Sequence, residues 1–309
     1  MGWRLAGSLG LFLGSLALGW RLNRRGLLRE DQASRLVQWI VKTLSPTVLC
    51  LSFWKIDLHR ADPWLLPLLG LLISVSTLAP ALLYAHRAAL SQPQTGSFLT
   101  CAVFSNVGYF GAFAAFALFG ETAYALCVLY LVFFTPTFYT LGFSLAARYG
   151  TSRSERGAAG AFNDELRLYP FLGMLLGATL SLLGVPRPHA LAMLNYLLIP
   201  ADTVLNLTAI GSQLTFQSPR PWLRACLVMC GIKFLYAPCV AWMLLTVCHL
   251  RGLPRLMVLL QASSPVGVSP LVLPLLFGLD RRLSNALWLV TTVVAIPWLL
   301  FSLPILQRL

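Results

Sequence analysis

Long apolar runs alternate with short polar breaks along the whole chain. Ten runs have the length of a membrane-spanning helix, at about 3–22, 33–54, 63–86, 96–119, 121–147, 166–184, 189–213, 222–249, 254–278 and 283–306. About twenty apolar residues cross the hydrocarbon core as one helix, so the pattern predicts an all-α integral membrane protein. Two runs are spoiled at their centres. The fourth carries Ser105-Asn106-Val107-Gly108-Tyr109-Phe110-Gly111, and the ninth carries Ser263-Ser264-Pro265-Val266-Gly267-Val268-Ser269-Pro270. Glycine weakens a helix, and proline removes a backbone donor. Irregular backbone at membrane depth is tolerated only where it is buried in protein or lines a watery cavity. Each interruption is therefore a packing joint or a binding site.

Composition agrees with that reading. Of 309 residues, 58% are hydrophobic and 11% charged, against about 25% charged in a soluble domain. The net charge of +13 does not point to nucleic acid, because the arginines sit singly or in small groups between apolar runs. The seven cysteines lie in or at the ends of apolar runs with no CxxC pair, which suits small buried side chains better than disulfides or metal. The first run has only Arg4 before it but Arg21, Arg24 and Arg25 after it. That charge lies on the wrong flank for a cleaved signal peptide, so the run is kept as a span.

Basic residues also orient the spans. With the N-terminus outside, the inner loops hold Arg21, Arg24, Arg25, Arg29, Arg35, Arg87, Arg148, Arg153, Arg156, Arg167, Arg220, Arg224, Arg281 and Arg282, twice as many as the outer loops. The positive-inside rule then places both termini outside and the polar linker 150–165 in the cytoplasm, in a plasma (inner) membrane. The linker divides the chain into five-span halves, 1–149 and 166–309. Because five is odd, the halves face opposite ways. Leu118-Phe119-Gly120 and Leu276-Phe277-Gly278 stand 158 positions apart, as do Pro80 and Pro238. Together these predict two inverted five-helix repeats with broken, crossing helices 4 and 9. Paired broken helices near mid-membrane are a transporter signature.

The motifs carry a resemblance. Ser105–Gly111, Ala209-Ile210-Gly211-Ser212-Gln213-Leu214, Gly231-Ile232-Lys233-Phe234 with Pro238, Ser264-Pro265, and Leu276-Phe277-Gly278-Leu279-Asp280 are together similar to the auxin efflux carrier family, which includes bacterial permeases and the plant PIN-type exporters. The resemblance covers nearly the whole chain. It implies one bundle acting as scaffold and one as transport domain, export of organic anions such as auxins or small carboxylates, and a homodimer as in plant members. The chain departs from the family in having Ala112-Phe113 where a proline often follows the second glycine, Val204 where one is expected before Gly211, and no long cytoplasmic loop.

The candidate site follows from these features. Asn106, Gly108 and Gly111 in span 4 face Ser264, Pro265, Val266 and Ser269 in span 9. An asparagine amide can donate to a carboxylate, and half-helix N-termini attract anions. Asp202 is the one carboxylate deep in a span, and an ionisable group there is functional by default. Lys233 falls at similar depth on an antiparallel helix and is the partner expected for it, as a coupling site or an ion pair. The expected function is a secondary transporter exporting a small organic anion by alternating access. The rival is a Na⁺- or H⁺-coupled symporter of the same build, and a third reading is a non-transporting membrane scaffold or receptor. No cofactor, metal or nucleic acid is expected. An enzyme is disfavoured, since there is no GxxxxGK[ST], no second deep carboxylate, and His59, His86, His189 and His249 all sit near span ends.

Overall fold

The computed structural model describes residues 2–60, 62–151, 168–214 and 218–306. All but Gly150 and Thr151 of the linker 150–165, and with it Arg153 and Arg156, lie outside the described residues, as does Arg167. The elements are α1 (Gly2–Arg24), α2 (Asp31–Lys55), α3 (Asp62–Arg87), α4 (Gln92–Val103), α5 (Val107–Phe119), α6 (Glu121–Tyr149), α7 (Leu168–Leu182), α8 (His189–Ser212), α9 (Arg220–Val247), α10 (Gly252–Ala262), α11 (Leu273–Phe277) and α12 (Arg281–Leu306). Among the described residues there is no strand, only one isolated antiparallel bridge. Six helices among the described residues, at 31–55, 62–87, 121–149, 189–212, 220–247 and 281–302, are long and apolar enough to cross a membrane. The run 96–119 divides into α4 and α5, and the run 254–278 into α10 and α11.

The chain forms two compact units, and each draws segments from both sequence halves. The first comprises residues 1–64, 108–129 and 164–215; the second comprises 65–107, 130–163 and 216–309. In lipid, apolar surface gains little by leaving the solvent, so helices associate through close packing at small residues. The first unit does this twice. Gly173 and Gly177, one turn apart on α7, lie directly against the backbone of Pro46 and Cys50 on α2. Gly19 of α1 lies against Thr208 of α8, and Gly211 of α8 against Leu16 of α1. At each of the four a Cβ would overlap a backbone carbonyl. Gly177→Ala is expected to cost about 1–3 kcal/mol, the usual range for overpacking, read as a lower melting temperature.

The second unit is held by aromatic side chains. Phe104 meets Phe138 edge to face at 5.0 Å, and Phe143 meets Phe277 in the same way at 5.2 Å. These pairs bind α6 to the end of α4 and to α11. Gly142 leaves room for the Phe104 ring, which a Cβ there would approach to 2.9 Å. The two half-helices that lead into the interruptions are buried along their final turns, α4 from Gly96 to Val103 and α10 from Met257 to Ala262.

Candidate functional site

Both interruptions stop a helix inside the second unit, and their backbones pair. After Val103 the chain turns extended at Phe104 (φ −97°, ψ 105°). After Ala262 it leaves the helix at Ser263 and reforms a short turn only at Ser269. Between them Ser105 bridges Val266 in antiparallel sense. The Asn106 N–H donates to the Pro265 carbonyl at 2.7 Å, and the Gly267 N–H donates to the Phe104 carbonyl at 2.9 Å. The Val266 N–H donates to Thr291 Oγ1 of α12 at 3.1 Å. Proline at 265 has no N–H to satisfy and offers its carbonyl outward. Gly267 permits the approach, since a Cβ there would stand 3.0 Å from the Ser105 carbonyl oxygen. Two broken helices thus satisfy one another by a fragment of sheet, which answers the demand that buried backbone be hydrogen-bonded.

Side-chain polarity is left over at this junction. Asn106 is buried, 3% exposed, and its amide nitrogen Nδ2 has no hydrogen-bond partner. Ser264 is fully buried, and its Oγ has none either. Buried polar atoms are almost always paired, so such orphans call for an explanation. Pro265 and Val266 are engaged through their backbones, and Ser269 is half-buried at the start of the turn before α11. Gly108 and Gly111 lie in the wide turn Val107–Ala112 that opens α5, in the first unit.

Lys233 belongs to the second unit and lies in a wide turn, Ile232–Tyr236, within α9. It is fully buried. Its ammonium donates to the Ala102 carbonyl at 2.6 Å and to Ser105 Oγ at 2.8 Å. Asp202 belongs to the first unit, on α8, and accepts from Ser45 Oγ of α2 at 2.7 Å. The depth argument pairs these two charges with each other; the structure gives each of them neutral partners within its own unit.

Sequence reasoning missed a second buried carboxylate. Glu121, at the start of α6, is 4% exposed. Arg187 clasps it with both guanidinium nitrogens, at 2.5 and 2.7 Å, and also donates to the Leu51 carbonyl at 2.7 Å. Asn195, fully buried on α8, donates to the same carboxylate and to Ser52 Oγ at 3.0 Å. All of these residues lie in the first unit. Glu121 opens a span and Arg187 stands between Pro186 and Pro188. Only the isolation of one acid and one base at apolar span ends could have signalled the pair.

Beside the junction, the second unit has a narrow apolar cleft bordered by Gly70, Ser74, Phe104, Tyr130 and Phe134. Its volume of 20 Å³ gives room for about one water. Phe104, one of the aromatics flanking the span 4 interruption, is thus core packing, 1% exposed.

Apolar helices of spanning length, interrupted where two backbones pair around unpartnered polar atoms, define the class: a multi-pass membrane protein with a polar junction in its interior. Comparison with known proteins makes the class specific. Residues 163–303 match the family described as membrane transport protein. An uncharacterized transporter of Methanothermobacter thermautotrophicus is 26% identical over 289 residues, spanning 93% of this chain and 92% of its own. An uncharacterized transporter of Methanocaldococcus jannaschii is 25% identical over 279 residues, spanning 86% and 88%. At family level these findings agree with the sequence motifs: over its second half the chain is similar to membrane transport proteins, and over most of its length to two archaeal transporters.

Proposed function

We propose that the protein is a secondary transporter that carries a small organic anion, an auxin-like aromatic acid or a small carboxylate, out of the cell by alternating access. The observation that carries this reading is the unpartnered Asn106 amide at the paired interruptions. Nδ2 is a donor only, so what it lacks is an acceptor, and a carboxylate oxygen is the strongest one available to it. The Lys233 ammonium, bonded to the neighbouring residue Ser105, adds positive potential at the same junction. Ser264 Oγ is a second unpartnered group that can bind an oxyanion.

The mechanism follows from the layout proposed from the sequence: inverted repeats, both termini outside, and one bundle rocking against the other around a fixed site. A membrane potential negative inside favours anion exit, by about 2.3 kcal/mol per charge per 100 mV. Proteoliposomes loaded with labelled indole-3-acetate, benzoate or malonate test the reading. At least one of these acids is expected to leave saturably, faster under a potential negative on the loaded side. Flux no greater than in empty liposomes for every acid of the panel overturns the organic-anion reading.

A further inference from the structure

Lys233 has a feature that a carboxylate-paired lysine would not have: both of its hydrogen-bond acceptors are neutral oxygens, and both belong to the broken end of α4. The Ala102 carbonyl is one of the last of that half-helix and also accepts from Thr77 Oγ1 at 2.9 Å. A half-helix C-terminus carries a partial negative charge and unsatisfied carbonyls. Ser105 Oγ comes from the residue whose backbone bridges Val266. Carbonyl and hydroxyl oxygens at the end of an interrupted helix are the donor set with which membrane proteins hold alkali cations. Here the positive charge arrives on a side chain from α9 and is fully buried. These two bonds use two of its three ammonium protons.

We propose that the Lys233 ammonium is a tethered cation filling a monovalent-cation site built by the Ala102 carbonyl and Ser105 Oγ, so that the protein holds within itself the charge a symporter takes from Na⁺. The site stands on its own geometry; its consequence for transport rests on the anion reading of the junction. With the charge built in, an anion bound there is neutralised without a co-transported ion, and its flux is independent of Na⁺.

Melting temperatures of the purified full-length protein test this without reference to any substrate. The salts are choline, sodium, potassium, ammonium and methylammonium chloride at equal ionic strength. The wild-type protein is expected to melt at the same temperature in all five. Lys233→Ala empties the site, melts several degrees lower in choline, and regains at least half of that loss, saturably, with ammonium, methylammonium or sodium. Lys233→Met fills the space without charge and stays low in every salt. A Lys233→Ala protein indifferent to the cation overturns the proposal, as does saturable stabilisation of the wild type by sodium. If Lys233→Ala does not survive purification, Ser105→Ala decides alongside the wild type: it keeps the ammonium and should remain indifferent to the cation, and a sodium effect in either protein overturns the idea. Because no flux is measured, failure here is separable from failure of the transport reading.

Discussion

Asn106→Ala is expected to lower organic-anion flux about 10- to 150-fold, while the protein melts within a degree or two of wild type. The size follows from the chemistry. A hydrogen bond to a charged partner contributes about 1.5–3 kcal/mol, and every 1.4 kcal/mol is about tenfold. Unchanged stability follows from the structure, because the Asn106 amide nitrogen gives no internal hydrogen bond. An asparagine that merely packed helices would show the opposite pattern, with lower stability and ordinary flux. Asn106→Asp, which sets a negative charge against the anion, should abolish flux altogether. Flux from proteoliposomes and melting of the same preparations, measured together, separate the two patterns; wild-type flux in Asn106→Ala removes this residue from the site.

The largest effect on stability is expected at Glu121. Its carboxylate holds a guanidinium whose side chain is only 8% exposed. Glu121→Ala leaves that charge buried and unpaired, which costs about 3–5 kcal/mol when a buried pair is broken. The double variant Glu121→Ala, Arg187→Met should recover most of the loss, since an apolar replacement of both partners is often neutral. The measurement is a double-mutant cycle of melting temperatures. A single variant as stable as the double would mean that the Arg187 charge finds water or another partner at no cost.

The interruptions were legible because glycine, serine, asparagine and proline have no other business at the centre of an apolar run. Ser105–Gly111 and Ser263–Pro270 both sit where the helices stop. What could not be read was which residues meet. The bridge joins Ser105 to Val266, and such a register depends on how far each half-helix penetrates, which no local signal reports. Depth along a helix placed Asp202 and Lys233 level with each other but could not say which neighbours surround them. Ser45 lies 157 positions from Asp202, and Ala102 lies 131 from Lys233. Arg187 falls among the outer-loop charges of the topology rule, which counts arginines without asking whether they are buried. The glycine contacts that close α1 on α8 and α2 on α7 likewise needed coordinates, since Gly7, Gly10 and Gly14 look alike in sequence, yet a Cβ at any of them would meet no neighbouring element within 4 Å.

The interleaving of the two units bears on how the protein is made. Neither unit is contained in the first half of the chain: one needs residues up to 215 and the other needs residues up to 309. Domains usually fold as they leave the ribosome, N-terminal first, but here the early spans must wait in the bilayer, with the Phe104 carbonyl and the Asn106 N–H still lacking their partners Gly267 and Pro265, until late segments are inserted. A nascent chain arrested before residue 215 therefore completes no folded body, and membrane quality control should degrade it rapidly.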